Sequence, residues 1–242
     1  MANGDAMTDT ERARAQYKDF WVHENAADTR HAYYERLYAP FRGRIRVEPG
    51  ARVLDVAGGD GQLLEYFGFK GADILDISES GLSLAARKGF RSVEGDVQAP
   101  FPVEAGSYDA VLLFEVLEHL HHPSITLVET YYALKPDGVL YVGQPNMRAD
   151  GTHHVRRYYP QELLSDLKKA GYTVDWFDFI PAYSMRDAIL SDIRNNPSWV
   201  RKSIQCVNLC LSLLPRSFRY GLAKWWPARF ALMLVVRAVK PK

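Results

Sequence analysis

Cysteine is nearly absent from this chain: among 242 residues there are two, Cys206 and Cys210. Their spacing puts them on one helical face, as a metal pair, a disulfide or free thiols. Two cysteines make no disulfide framework, and buried free thiols in a reducing compartment are the expectation. No apolar run is long enough to cross a bilayer, and the longest in the C-terminal part, 206–214, is too short and too polar. The first ten residues lack a signal-peptide pattern, so a cytoplasmic location is expected. Acidic residues are also missing after Asp192, where ten basic ones follow: Arg194, Arg201, Lys202, Arg216, Arg219, Lys224, Arg229, Arg237, Lys240 and Lys242. The net charge of +1 argues against wholesale nucleic-acid binding, but it divides into −9 up to Asp192 and +10 beyond it. Such asymmetry points to an anionic partner for the C-terminal part.

What is present suits one sizeable core, with 47% apolar and 24% charged residues. Residues 1–46 are polar with recurrent aromatics and read as a helical N-terminal cap. From 47 to 180 strand and helix signals alternate. Strands are predicted over 52–57, 72–77, 91–94, 108–114, 139–144 and 172–179. Helices begin at Gln62, Ser78, Pro123 and Pro160, and Lys135-Pro-Asp-Gly138 closes the third of them. Residues 181–229 break the alternation and read as a helical insertion or lid, before a last strand over 230–239. The fold class is therefore α/β, a doubly wound and mostly parallel seven-stranded sheet in a single domain.

In such sheets ligands bind beyond the carboxyl ends of the strands, and the first strand–turn–helix is the default place. Here it reads Val53-Leu-Asp-Val-Ala-Gly-Gly-Asp-Gly-Gln-Leu-Leu64. Gly58, Gly59 and Gly61 let the backbone turn tightly and a ligand come close. A dinucleotide fingerprint would need a third glycine at Leu64 or a second at Asp60, so a diphosphate cofactor is disfavoured. Asp55 just before the turn suits a ligand bearing an ammonium group. Asp76, about 20 residues on, stands where an acid receives ribose hydroxyls. Asp96 can accept from an adenine amine. Each carboxylate alone could simply cap the helix after it. Three at successive strand ends beside this turn describe a site for an aminoacyl-type adenosine.

These residues resemble the class I S-adenosylmethionine-dependent methyltransferases, the broad group that includes the ubiquinone-biosynthesis O-methyltransferases. The motifs that carry the resemblance are the 53–61 turn, Leu75-Asp-Ile-Ser78, Glu94-Gly-Asp96, Phe114-Glu-Val-Leu-Glu-His-Leu120 and Leu134-Lys-Pro-Asp-Gly-Val-Leu-Tyr141. Tyr159-Pro-Gln-Glu-Leu-Leu164 with Ala170-Gly-Tyr172 adds a sixth. The resemblance implies a Rossmann-like methyltransferase fold with S-adenosyl-L-methionine as cofactor. Asp55 and the turn Ala57, Gly58, Gly59 and Gly61 would hold its methionine end. Asp76 with Ile77 would hold the ribose, Asp96 with Val97 the adenine, and the Phe114 backbone would line the cofactor. One position departs, because Ala57 stands where the family usually has its first glycine. That departure keeps a cofactor-binding module without catalysis as an alternative.

Methyl transfer requires an acceptor held in line and, for a hydroxyl, a base that removes its proton. Glu115, Glu118, His119, His121, His122, His153 and His154 follow the fourth and fifth strands, and His119 and His154 are the catalytic candidates. Glu115, Glu118 and His119 with His153 or His154 would also suit Mg²⁺ or Zn²⁺, as in an RNA-end methyltransferase. The same run occurs in relatives without metal, so no metal is assigned. The insertion interleaves basic and aromatic residues around apolar 207–214. That composition fits a lid over a small-molecule pocket, or a helix at an anionic membrane surface reaching a lipid-linked acceptor. Single-stranded nucleic acid ranks behind both.

Overall fold

The computed structural model describes residues 8–18, 27–146, 154–181, 199, 202, 203, 206, 209, 210, 213–225 and 231–242. Among the described residues, helices α1 (Asp9–Tyr17) and α2 (Ala27–Tyr38) come first. They are followed by β1 (Val53–Val56), α3 (Gln62–Phe67), β2 (Asp73–Asp76), α4 (Glu79–Arg87), β3 (Arg91–Glu94) and β4 (Tyr108–Phe114). Next are α5 (Pro123–Ala133), β5 (Leu134–Pro145), α6 (Pro160–Lys169), β6 (Thr173–Pro181), α7 (Arg216–Trp225) and β7 (Ala231–Val239).

The seven strands form one sheet in the order β3-β2-β1-β4-β5-β7-β6. Pairing is parallel from β3 through β5, and β7 inserts antiparallel between β5 and β6. The order reverses between β1 and β4, which places a crevice at the carboxyl ends of those two strands.

Side chains alternate across each strand, and the sheet is covered on both faces. Leu54, Val56, Val111 and Leu113 pack on one side with Leu127, Leu163 and Leu167 of α5 and α6. Val53, Ile74, Ala110, Leu112 and Phe114 pack on the other with Leu37, Tyr38, Leu64 and Leu82 of α2, α3 and α4. Burying strands on both faces is why 108–114 reads as a nearly unbroken apolar run. Asp55 shares the parity of Val53 and is buried among these side chains.

Two expectations need correction. Lys135-Pro-Asp-Gly138 is not a turn after α5; β5 already starts at Leu134, which pairs with Tyr108 before a register irregularity. Asp137 takes a left-handed φ of 62°, and its N–H donates to the Lys240 carbonyl while Lys240 N–H donates to the Gly138 carbonyl. Those cross-strand bonds hold a turn-like sequence inside the sheet. The two cysteines are free thiols but exposed, not buried. Of the leucines near them, Leu209 and Leu213 are exposed as well. Much of the expected insertion, including 182–198 and 226–230, lies outside the described residues.

Candidate active site

The glycine turn opens at the end of β1. Ala57 has φ 57°, Gly59 56° and Gly61 76°, so three residues within five take the left-handed region that side chains disfavour. Ala57 N–H donates to the Leu75 carbonyl at 2.7 Å, which ties the turn to β2. Gly58 is needed for another reason: a Cβ there would lie 2.5 Å from Asp55 Oδ2. The Asp55 carboxylate therefore lies directly beneath the turn. At Gly61, a Cβ would meet the Phe90 ring at 2.7 Å, which fixes that glycine for packing.

Asp55 is buried and its Oδ2 has no hydrogen-bond partner. Burial pushes its pKa well above the carboxylate range, with the charges of Asp76 and Asp60 acting in the same direction. An orphaned buried oxygen costs on the order of 1–3 kcal/mol, so it marks a place where a ligand group belongs. Asp76 lies beside it at the end of β2. Its oxygens accept from Gly59 N–H and Ser78 N–H, both at 2.8 Å. Burial raises its pKa, and these backbone bonds oppose the rise. Two carboxylate oxygens have about four acceptor sites, so room remains for hydroxyl donors. Ile77, next in the chain, is half-buried.

Asp96 follows β3. Its Oδ1 accepts from Gln98 N–H at 2.8 Å, and its Oδ2 accepts from the Thr10 hydroxyl of α1 at 2.5 Å. Val97 is buried, and its carbonyl accepts from Thr126 at 2.8 Å. Helix α1 thus runs across the ends of β2 and β3. Arg14 pairs with Glu94, and the hydroxyls of Ser78 and Ser80 donate at 2.8 Å to the carbonyls of Tyr17 and Lys18. Sequence reasoning expected a cap but not that one of its side chains reaches an expected cofactor ligand.

At the end of β4, Phe114 packs edge-on against Tyr38, and a Cβ on Gly143 of β5 would meet its ring at 2.2 Å. Glu115 follows with a φ of 56°, a strained conformation for a side-chain-bearing residue. The strain turns its carboxylate toward α2, where it accepts from Tyr33 at 2.8 Å and Tyr38 at 2.9 Å. Burial raises its pKa and the two tyrosines oppose the rise. The tyrosines were missed as site residues; their only sequence signal was the recurrence of aromatics in the N-terminal cap.

A 3₁₀ turn over Leu117–His119 comes next. Glu118 is buried, and its pKa is pushed up to about 8 by burial, with Glu115 adding to it. His119 Nε2 lies 3.6 Å from Glu118 Oε1. Backbone N–H groups of Val155 and Arg156 donate to the Glu118 carbonyl, which sets His154 beside His119 with ring centroids 5.0 Å apart. Gln144 Nε2 donates to Glu118 Oε2 at 3.2 Å. Donor atoms of Glu118, His119 and His154 all lie within 4.8 Å of one another, and Glu115 is engaged elsewhere. His121 and His122 are exposed, and His153 lies outside the described residues.

The donors present fit S-adenosylmethionine. The unpaired Asp55 oxygen suits an ammonium group, and Asp76 suits hydroxyls.

Comparison with known proteins agrees. The family described as methyltransferase domain matches residues 27–187. A ubiquinone biosynthesis O-methyltransferase from Xanthomonas axonopodis pv. citri is 31% identical over 161 residues, 54% of this chain and 66% of that protein. The chain thus matches just under two thirds of that relative's length. Among solved structures, a Haloferax volcanii complex of a methyltransferase with its activator Trm112 gives a TM-score of 0.64 at 19% identity, covering 95% of this chain and 98% of that one. A Haemonchus contortus phosphoethanolamine N-methyltransferase, solved with S-adenosyl-L-methionine, gives 0.55 at 18% identity, covering 93% and 60%. These structural likenesses bear on the fold, and the family match covers about two thirds of the chain. The chain belongs to the methyltransferase-domain family, with the fold and implied cofactor of its class I, S-adenosylmethionine-dependent members.

Proposed function

We propose that this chain transfers a methyl group from S-adenosylmethionine to an oxygen of a small or lipid-linked acceptor. The observation that carries the reading is the unpaired, buried Asp55 oxygen beneath a glycine turn. S-adenosylmethionine supplies a methyl group already activated on a sulfonium, so the chain's own task is to bind, orient and deprotonate. Asp55 and the turn Ala57–Gly61 would hold the ammonium end. Asp76 and Ile77 would hold the ribose, Asp96 and Val97 the adenine, and the Phe114 backbone would line the site between them. His119, 3.6 Å from Glu118, and His154 beside it would take a hydroxyl proton as an acceptor is methylated. The basic, aromatic C-terminal part would bring the chain to an anionic surface where a lipid-linked acceptor resides.

A second reading has one observation in its favour. The Glu118, His119 and His154 donors are close enough together to share a divalent cation, as an RNA-end methyltransferase would require. Incubation with tritiated S-adenosylmethionine and a total cell extract separates the readings. Label in the small-molecule or lipid fraction, lost on His119→Ala, is expected. Label in RNA that depends on added metal would overturn the acceptor assignment. Calorimetric binding with no product on any fraction would leave a cofactor-binding module.

A further inference from the structure

A cavity of about 590 Å³ opens at the edge of the sheet. Three segments line it: Ala39–Phe41 with Arg44 just after α2, Asp178–Ile180 at the end of β6, and Ser217 with Tyr220 on α7. β6 stands three places from β4 in the sheet, which at about 4.8 Å per strand is roughly 14 Å. Phe41 and Ile180 belong to the apolar cluster on one face of the sheet. Val116, Leu117 and Leu120, around His119, belong to the cluster on the other. The cavity is therefore a different place from the methyl-transfer centre, and its size is that of a small-molecule site.

The polar groups at this cavity select the charge of a ligand. An Arg44 N–H donates to Asp178 Oδ2 at 2.9 Å, and the guanidinium lies 3.9 Å from the centre of the Trp176 ring. Both contacts hold the side chain in place. The bond to Asp178 uses one of five N–H donors, so another edge of the fork remains for a second carboxylate. Asp178 itself has little left to offer, because the Tyr220 hydroxyl and the Phe179 N–H donate to its Oδ1. Burial alone would raise its pKa, but these bonds and Arg44 hold it below the ordinary carboxylate value. Lys224 Nζ lies 4.8 Å over the Tyr220 ring, so two cations surround one carboxylate whose acceptors are largely taken. Ser217 sits in the first turn of α7, where unpaired backbone N–H groups also favour negative charge. Pro40, Phe41, Ile180 and the Tyr220 ring make much of the remaining lining apolar and partly aromatic, which suits a flat ring.

We propose that this cavity binds a small aromatic carboxylate, with its ring against Phe41 and Ile180 and its carboxylate on Arg44 beside Ser217. The ligand would bridge the N-terminal cap, β6 and α7. The proposal does not rest on the methyl-transfer reading.

Calorimetry on the full chain with 2-naphthoate tests it, with 2-naphthalenemethanol as the neutral counterpart of the same shape. A Kd at or below about 1 mM is expected for the acid, and binding at least about tenfold weaker for the alcohol. Arg44→Gln should weaken 2-naphthoate at least about tenfold. Ser217→Asp should do the same by repulsion, while an acid in the first turn favours the helix, so this variant decides if Arg44→Gln disturbs the fold. Asp55→Asn, and saturation with S-adenosylmethionine, should leave 2-naphthoate affinity unchanged. No binding up to about 10 mM, equal binding of the alcohol, or indifference to Ser217→Asp would overturn the proposal. Displacement of 2-naphthoate by S-adenosylmethionine would overturn it as well, by putting the probe in the cofactor crevice.

Discussion

At Asp55 a carboxylate oxygen is held in the interior with no hydrogen bond, against the rule that buried polar groups find partners. Removing its charge should act in opposite directions on two measurements. Asp55→Asn keeps the shape and removes the buried acid, so the unliganded chain should melt no lower, and higher above neutral pH. The same change should weaken S-adenosylmethionine binding by about 2–3 kcal/mol, roughly 30- to 160-fold in Kd by calorimetry. Parallel losses of stability and affinity would mean that Asp55 serves the fold rather than a ligand. Ala57 gives a different balance. Its φ of 57° costs about 1–2 kcal/mol for a side-chain-bearing residue, whereas glycine loses about 0.5–1 kcal/mol more backbone entropy on folding. Ala57→Gly should therefore shift stability by less than about 1.5 kcal/mol, upward if at all. An affinity gain larger than that would be assigned to the methyl group itself crowding the ligand.

The α2 helix meets β4 through Glu115, which holds the cap on the core at a strained backbone position. The bonds from Tyr33 and Tyr38 are made in a buried setting, so losing both leaves a buried carboxylate without donors. Tyr33→Phe with Tyr38→Phe should cost about 2–4 kcal/mol in denaturant unfolding at neutral pH, and the loss should shrink on acidification as Glu115 gains a proton. A pH-independent loss would assign the effect to ring packing. None of this was legible in the chain, because the partners lie about 80 residues apart and tyrosines in a polar helix carry no positional signal. The elements themselves were far more legible. Strands 91–94 and 108–114 have the bounds that punctuation and apolar runs predicted. The start of β5 was missed because Lys-Pro-Asp-Gly has turn chemistry, and only pairing with β4 and β7 makes it strand. The same limit hid the antiparallel β7: a strand buried on both faces is apolar throughout, and its direction leaves no periodicity. Of the site, the three carboxylates and the glycines were visible because they lie at strand ends in chain order. The Thr10–Asp96 bond was not, since nothing local ties α1 to β3.

Across the whole molecule, buried acids make folding depend on pH in an unusual direction. Asp55, Asp76, Glu115 and Glu118 all have pKa values raised by burial, Glu118 to about 8. A carboxylate whose folded pKa exceeds its unfolded one binds more protons when folded, so stability falls as pH rises between the two values. For Glu118 that window runs from its ordinary 4.5 up to about 8. The unliganded chain should consequently melt highest in mild acid and lose on the order of a few kcal/mol by pH 8.5, and Glu118→Gln should flatten much of the decline. A cationic ligand reverses the slope at one site. When an ammonium group occupies the place beneath the glycine turn, the ionised form of Asp55 gains a partner and releases its proton. The thermal shift given by S-adenosylmethionine should therefore grow from pH 5.5 to pH 8.5, and the growth should vanish in Asp55→Asn while surviving in Glu118→Gln. A shift that stays constant with pH in the unaltered chain would show that Asp55 is already ionised before the ligand arrives, and that its unpaired oxygen is satisfied in some other way.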